Sequence, residues 1–384
     1  DFRFINNFQY IYVQYITQMR DVELHALLTL QHMPNLGDVM IKRMLAHFES
    51  AEELLNQKKA TLLKIDGVGE VRLREFHDAS HKVAAEKELD FIRKNHIEFA
   101  AFTDAHYPER LKHCVDSPIL LFSRGNINLK NKKIISIVGT RKVTTHGVHF
   151  TNKLIEHLAP LDPVIVSGFA YGVDITAHNA AVAAGLQTIG VVAHGLDQIY
   201  PKVHKKYMKD VEAHGGFITD FWSSAVFDRK NFLQRNRIIA GMSEATLVIE
   251  SAEKGGSLVT ADLANSYNRD VFAVPGRPGD LQSLGCNNLI KSARANLLTS
   301  AADLIYILGW DIDKKPQAVQ KKLFVELEDD ERKIHQFLNE KKKEQLDFIA
   351  LHCDLPIFKT AGLLLNMELK GVVRPLPGKF FELV

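Results

Sequence analysis

The sequence predicts an α/β protein: a doubly wound parallel sheet, with a helical module before it and a winged helix after it. Three observations predict this. From residue 132 onward, short continuous apolar runs alternate with amphipathic stretches, the pattern of strands buried on both faces and the helices that cover them. Residues 22–95 place apolar side chains at helical spacing around glycine turns. Residues 331–384 offer three helical stretches and a hairpin. The expected organisation is therefore a helical module at 22–95, an α/β core at 96–309, a charged linker at 310–330 and a winged helix at 331–384. Residues 1–21 open without helical pattern and are read as an upstream extension of the gene model.

The bulk numbers bound the function without choosing it. A hydrophobic content of 46% with 24% charged residues is that of a globular protein, and the net charge of +2 is uninformative. Residues 132–300 carry 18 Lys/Arg against 14 Asp/Glu, and Arg229, Lys230, Arg235 and Arg237 crowd into one short stretch. A local cluster of this kind points to a polyanion. Cys114, Cys286 and Cys353 are far apart and form no CxxC pair, which argues against a disulfide framework and a zinc ribbon and fits a reducing cytoplasm. No apolar run approaches the ~20 residues of a spanning helix. No metal or cofactor is expected.

In chain order, the helical module turns first at Pro34 to Gly37 and again at Gly67-Val68-Gly69, a helix-hairpin-helix pattern whose turn either offers N–H groups to a phosphate or simply permits a tight bend. IEFAAF and PILLFSRG read as strands added to the edge of the following sheet. KKIISIVGTRKVTTHG (132–147) gives the first core strand, a loop and a capped helix start. PVIVSG, QTIGVVAHG, FITD, ATLVIES, VFAVPG and NLLT supply further strands, with helices between them, one opening at RNRIIAGMS. In the last domain EQLDFIALHCD and PIFKTAGLLLNMELKG make a helix-turn-helix, and VVRPLPGKFFEL a hairpin around Pro377-Gly378. The second helix carries only Lys359 and Lys370 as cations, which favours protein contact or a structural role over reading of duplex DNA.

Ligands of open parallel sheets sit beyond the carboxyl ends of the strands. Those ends carry Gly139-Thr140-Arg141, Ser167-Gly168 and Lys254-Gly255-Gly256-Ser257, with Asn236-Arg237 at an expected helix start. Backbone N–H groups at helix starts and an arginine fork suit phosphate. The dinucleotide fingerprint GxGxxG and the P-loop GxxxxGK[ST] are both absent. Phe232, flanked by cations in RKNFLQRNR, has the composition that stacks bases of single-stranded nucleic acid. His77 and His81 read as a solvated helix face, His178 as a hydrogen-bonded structural histidine, and Asp174 as a pocket carboxylate or a helix cap.

SGFAYGVDITAH, HGLDQIYP, RNRIIAGMS, ESAEKGGSLVTA, VPGRPGD and GCNNLI, in this order after GTR, closely resemble the DNA-processing protein A (DprA, or Smf) family. The resemblance implies an extended Rossmann-like core that binds single-stranded DNA without catalysis. It also implies protection of incoming DNA during natural transformation and loading of the RecA recombinase. Carried over by position, the phosphate site falls on Gly139, Thr140 and Arg141 and the basic-aromatic loop on Arg229, Lys230 and Phe232, with Asn236, Arg237, Gly255 and Gly256 completing the wall. Leu289, Ile290, Leu297 and Leu298 supply the apolar patch expected at a homodimer interface. Three positions depart from the family pattern: Tyr171 where a basic residue is frequent, Leu233 where proline is common, and Lys291-Ser292-Ala293-Arg294 in place of Gly-Ala. The rival reading is a Rossmann-like nucleoside monophosphate hydrolase, against which stands the lack of a Glu after the Gly255-Gly256 loop. A third is a winged-helix regulator with a nucleotide-sensing core.

Overall fold

The computed structural model describes residues 20–310, 327–376 and 379–383. The expected upstream extension, most of the charged linker and the Pro377-Gly378 turn lie outside them. Residues 20–310 fall in one compact unit and the C-terminal residues in another.

The first unit opens with helices α1 (residues 20–32), α2 (Asp38–Leu45), α3 (Ala51–Leu55), α4 (Lys59–Leu62) and α5 (Ala79–Lys94). The second half of the expected helix-hairpin-helix, residues 63–77, is a run of turns. These helices are not an independent domain. Their core of Leu24, Leu28, Met44, Leu62 and Phe76 continues into Leu120, Phe169, Phe217 and Trp222. Apolar periodicity shows that a helix has a buried face but not what covers it, so the boundary expected at 95/96 is not a structural one.

Strands β1 (Glu98–Ala101) and β2 (Leu120–Gly125) flank α6 (Glu109–Lys112) and add antiparallel to one edge of the sheet, as the sequence predicts. There follow β3 (Ile134–Val138), α7 (Thr145–Leu158), β4 (Val164–Ser167), α8 (Val173–Ala183), β5 (Thr188–Val191), α9 (Met208–Ala213), β6 (Gly215–Thr219), α10 (Arg229–Met242), β7 (Ala245–Val248), α11 (Gly256–Ser266), β8 (Asp270–Ala273), α12 (Leu284–Lys291), β9 (Asn296–Leu297) and α13 (Ala301–Ile307). The nine strands run β1-β2-β6-β5-β4-β3-β7-β8-β9 and are parallel from β6 to β9. The order reverses at β3, which lies between β4 and β7. This is the switch point where an open α/β sheet leaves a crevice.

Strand β3 shows why its apolar run is continuous. Ile134 and Val138 face α10 and α11, while Ile135 and Ile137 face α7 and α8. The polar Ser136 is tolerated because its hydroxyl pairs with Thr246 Oγ1 of β7 at 2.8 Å.

His178 is fully buried in α8. Thr188 Oγ1 donates to Ile165 O (2.9 Å) and accepts from His178 Nδ1–H (2.7 Å), which leaves Nε2 buried without a partner. Burial, with His204 and Arg235 nearby, lowers its pKa to about 3. The folded value lies below the unfolded one, so this stability is intact above about pH 6.5 and is lost as pH falls towards the folded value. Between pH 7.5 and 5.5 His178 is expected to cost about 1.4 kcal/mol of unfolding free energy. Urea midpoints at the two pH values, compared with a His178→Asn variant whose dependence should be shallower, check this.

The second unit holds α14 (Asp329–Lys341), β10 (Lys343–Gln345), α15 (Leu346–His352), α16 (Ile357–Leu369), β11 (Val373–Leu376) and β12 (Phe380–Leu383), with its sheet ordered β10-β12-β11. This is the predicted winged helix, built on Ile334, Leu338, Ile349, Leu364 and Met367. Lys359 donates to Asp330 (2.7 Å) and Lys370 to the buried Glu331 (2.5 Å), so both lysines turn onto α14. The outer face of α15 and α16 shows Leu351 and Phe358 instead, 74% and 81% exposed. No single described helix is long and apolar enough to cross a membrane.

Candidate nucleic-acid interface

Three elements meet at the switch point. Beyond β3, Gly139 packs so closely on α8 that a Cβ there would lie 2.5 Å from Val173 Cγ2. Thr140 N–H donates to Glu250 O (2.7 Å), its carbonyl accepts from Val173 N–H (3.2 Å), and its hydroxyl accepts from Lys142 N–H (3.1 Å). Gly172 sits against this loop at φ +76°, where a side chain would be strained and would run into the Thr140 carbonyl. With the backbone pinned from both sides, the Arg141 side chain stands exposed, its guanidinium 5.5 Å from the centre of the Phe232 ring.

Phe232 lies in the first turn of α10, not in a loop. Asp228 caps that helix by accepting from Lys230 N–H at 2.8 Å. Helical spacing then brings Arg229, Phe232, Asn236 and Ile239 to one cleft wall. The Phe232 ring lies 5.5 Å from Tyr200 and 5.4 Å from Phe227, and these two lie 4.6 Å apart.

The third element is the start of α11. Gly255 is its N-cap and no side chain caps it, so its first N–H groups face the crevice. The Asn236 side-chain amide donates to Gly256 O (3.4 Å), tying α10 to this helix start, and Ser257 Oγ donates to Ser251 Oγ (3.1 Å). The elements enclose a cleft of about 820 Å³, with Lys142 and Lys254 also among its lining residues.

The cleft floor is formed by Asp174 and Arg235. The carboxylate accepts from Gly168 N–H (3.1 Å) and Ala170 N–H (3.3 Å). Burial pushes its pKa up while Arg235 opposes the rise. Arg235 donates to Val191 O, and burial lowers its pKa to about 10. Asp174 is the only carboxylate among the residues lining the cleft, and both backbone bonds it accepts fall on Oδ2. Among the described residues no three His, Cys, Asp or Glu side chains converge as metal ligands.

The structure thus brings together Gly139, Thr140, Arg141, Arg229, Phe232, Asn236, Gly255, Gly256 and Ser257. Other expectations need correction. Asn236 and Arg237 are in mid-helix. Arg237 turns away from the cleft, 9% exposed, and donates to Asp220 (2.6 Å), Asp38 (3.0 Å) and the Asp116 carbonyl. Ser167 is fully buried and donates to Ile137 O (2.6 Å), and the Gly168 N–H is spent on Asp174, so neither is open to a phosphate. Lys230 is exposed at the α10 start but does not line the cleft. Leu289 and Leu298 are core residues and cannot form a dimer patch; Ile290 is half-buried and Leu297 exposed on the sheet edge. His81 is not solvated: it is buried, with its Nδ1 2.8 Å from His32 Nδ1. Tyr171 is exposed and packs edge-on against His204.

Tyr200 and Phe227 were not expected at the site. Tyr200 lies near the end of the HGLDQIYP block and Phe227 precedes the basic cluster; the available signal was an aromatic close to cations, Lys202 in one case and Arg229 and Lys230 in the other.

Residues 98–309 match the profile of the family described as DNA recombination-mediator protein A, more than half of the chain. The chain belongs to that family. A DprA winged-helix domain matches at residues 322–379. The chain is 32% identical over 277 residues to protein Smf of Synechocystis, covering 71% of this chain and 69% of that one. It is 36% identical over 216 residues to the DNA processing protein DprA of Streptococcus pneumoniae, covering 56% and 76%. The X-ray structure of DprA from Streptococcus pneumoniae superposes with a TM-score of 0.61 at 30% identity, covering 75% of this chain and 96% of that one. A structure of DprA from Helicobacter pylori, described as showing a unique single-stranded DNA binding mode, aligns with a TM-score of 0.50 at 28% identity, covering 56% and 96%. The family's match spans the whole sheet and every element of the cleft, so the core's family membership and the cleft coincide.

Proposed function

We propose that the cleft binds single-stranded DNA, gripping one backbone phosphate between Arg141 and the start of α11 and stacking a splayed base on the Phe232, Tyr200 and Phe227 rings. The observation that carries this reading is the Arg141 guanidinium poised on Phe232 beside an uncapped helix start. One strand offers both a phosphate and a base at that spacing, and stacking tolerates any sequence. The reading is one of binding rather than catalysis, because the single cleft carboxylate is buried, faces the charge of Arg235 and holds the Gly168 and Ala170 N–H groups. The winged helix, with Lys359 and Lys370 both turned onto α14, supports no duplex reading.

Family membership extends the proposal. The chain protects incoming single strands in the cytoplasm during natural transformation and hands them to the RecA recombinase. It acts as a homodimer that aligns two clefts along one strand. In this reading the two copies meet at the sheet edge at β9, where Leu297 is 49% exposed. The test is fluorescence anisotropy of a labelled oligothymidine with three competitors. Unlabelled single strand should displace the probe, while a duplex of equal length and a mixture of nucleoside monophosphates should not. Displacement by the monophosphates, with release of free base, would replace this reading with the hydrolase one.

A further inference from the structure

The cleft's aromatic wall is held in part by helices that do not line it. Between Thr219 and Arg229 the chain is irregular, and it carries Phe227. Its upstream anchors come from α1 and α5. The Trp222 indole N–H donates to Gln31 Oε1 (2.7 Å), and its ring stacks on His32 at 5.2 Å. Glu88 of α5 holds Ser223 twice: Oε1 accepts from the backbone N–H (2.8 Å) and Oε2 from the hydroxyl (2.6 Å). Gln198 donates to the carbonyls of Ser223 (3.2 Å) and Ala225 (3.3 Å). Gly195 allows the segment to pass, since a Cβ there would lie 2.6 Å from Trp222 O.

Glu88 is 5% exposed, and no cation forms an ion pair with it among the described residues. Burial pushes its carboxyl pKa up, and the two bonds from Ser223 oppose the rise. A buried carboxylate without a cation is costly. What this one does is fix Ser223, four residues before Phe227, whose ring then closes on Tyr200 and Phe232.

We propose that Glu88 is a positioning residue for strand binding: through Ser223 it presets the segment that presents Phe227 to the DNA. The proposal rests on the cleft being the single-strand site. A preset wall spares the complex the ordering cost of an irregular segment at the moment of binding.

The experiment uses the full chain and a labelled oligothymidine at several salt concentrations, below the melting temperature of each variant. Glu88→Ala is expected to weaken binding about tenfold while leaving the salt slope unchanged, because no cation is lost. Glu88→Gln, whose amide oxygen still accepts the Ser223 N–H, should keep most of the affinity. If Glu88→Ala does not fold, Ser223→Gly frees the same segment and should show the same loss at the same slope. Wild-type affinity in a folded Glu88→Ala or Ser223→Gly variant, even with a lowered melting temperature, overturns the proposal while Arg141→Ala still loses binding. Wild-type affinity in Arg141→Ala overturns the cleft reading and this proposal with it.

Discussion

Replacing Arg141 with alanine is expected to weaken single-strand binding by about ten- to a hundredfold and to make the salt slope shallower by about 0.7. The first figure follows from the roughly 1.5–3 kcal/mol of a charge-assisted hydrogen bond to phosphate. The second follows from one fewer counterion displaced per phosphate released on a single strand. The two effects should occur together because Arg141 makes no ion pair among the described residues and is exposed. Its loss therefore leaves no buried partner stranded, and the melting temperature should hardly move. Arg141→Lys discriminates further. Lysine restores the charge and so most of the salt slope, but not the planar fork that can lie on Phe232 while pairing with a phosphate. Its affinity should fall between those of the wild type and the alanine variant. Anisotropy titrations at three salt concentrations and a thermal scan measure all of these quantities.

Replacing Arg237, which is only two residues from the cleft arginine Arg235, is expected to do the opposite. Arg237 bridges Asp220, at the end of β6, to Asp38, at the start of α2, and thereby joins the sheet to the N-terminal helices. Burial opposes its charge, but Asp220 and Asp38 more than compensate and hold its pKa above the usual arginine value. Asp220 is buried, and its Oδ1 has no partner. Burial already raises its pKa, and the Arg237 charge is the main opposing influence. Arg237→Ala strands this carboxylate and is expected to cost about 3–5 kcal/mol of stability, seen as a lowered urea midpoint. In molecules that remain folded, the salt slope of strand binding should be that of the wild type. Arg237→Met with Asp220→Leu, which removes the buried pair and leaves Asp38 its bond from Ile119 N–H, should recover part of the loss. An unchanged midpoint in Arg237→Ala with a shallower salt slope would return Arg237 to the DNA site.

This contrast locates the limit of what the sequence conveys. Arg235 and Arg237 read as one basic cluster, yet two residues along a helix are about 200° apart, so one faces the cleft and the other the helical module. Starting α10 at its Asp228 cap, rather than at RNRIIAGMS, would have separated them. Leu297 and Leu298 pose the same problem in a strand, where adjacent side chains point to opposite faces: Leu298 enters the core and Leu297 the solvent. Ser167 looked like a loop-end ligand, but as the last residue of a parallel strand it points inward and satisfies Ile137 O.

The sequence by itself determined the strand-helix alternation, the two edge strands, the winged helix and the Gly139-Thr140-Arg141 corner. Each depends on local chemistry: apolar period, glycine where backbones touch, caps at helix starts. Only the tertiary structure decided which polar groups remain open to a ligand. Asp174, Arg235, Arg237, Glu88 and His81 are all plausible surface chemistry when read along the chain. Each is buried by elements distant in sequence that take up its hydrogen bonds or charge. Arg141 is left exposed over Phe232 because Gly139, Gly172 and Glu250, from three separate segments, meet around the backbone that carries it.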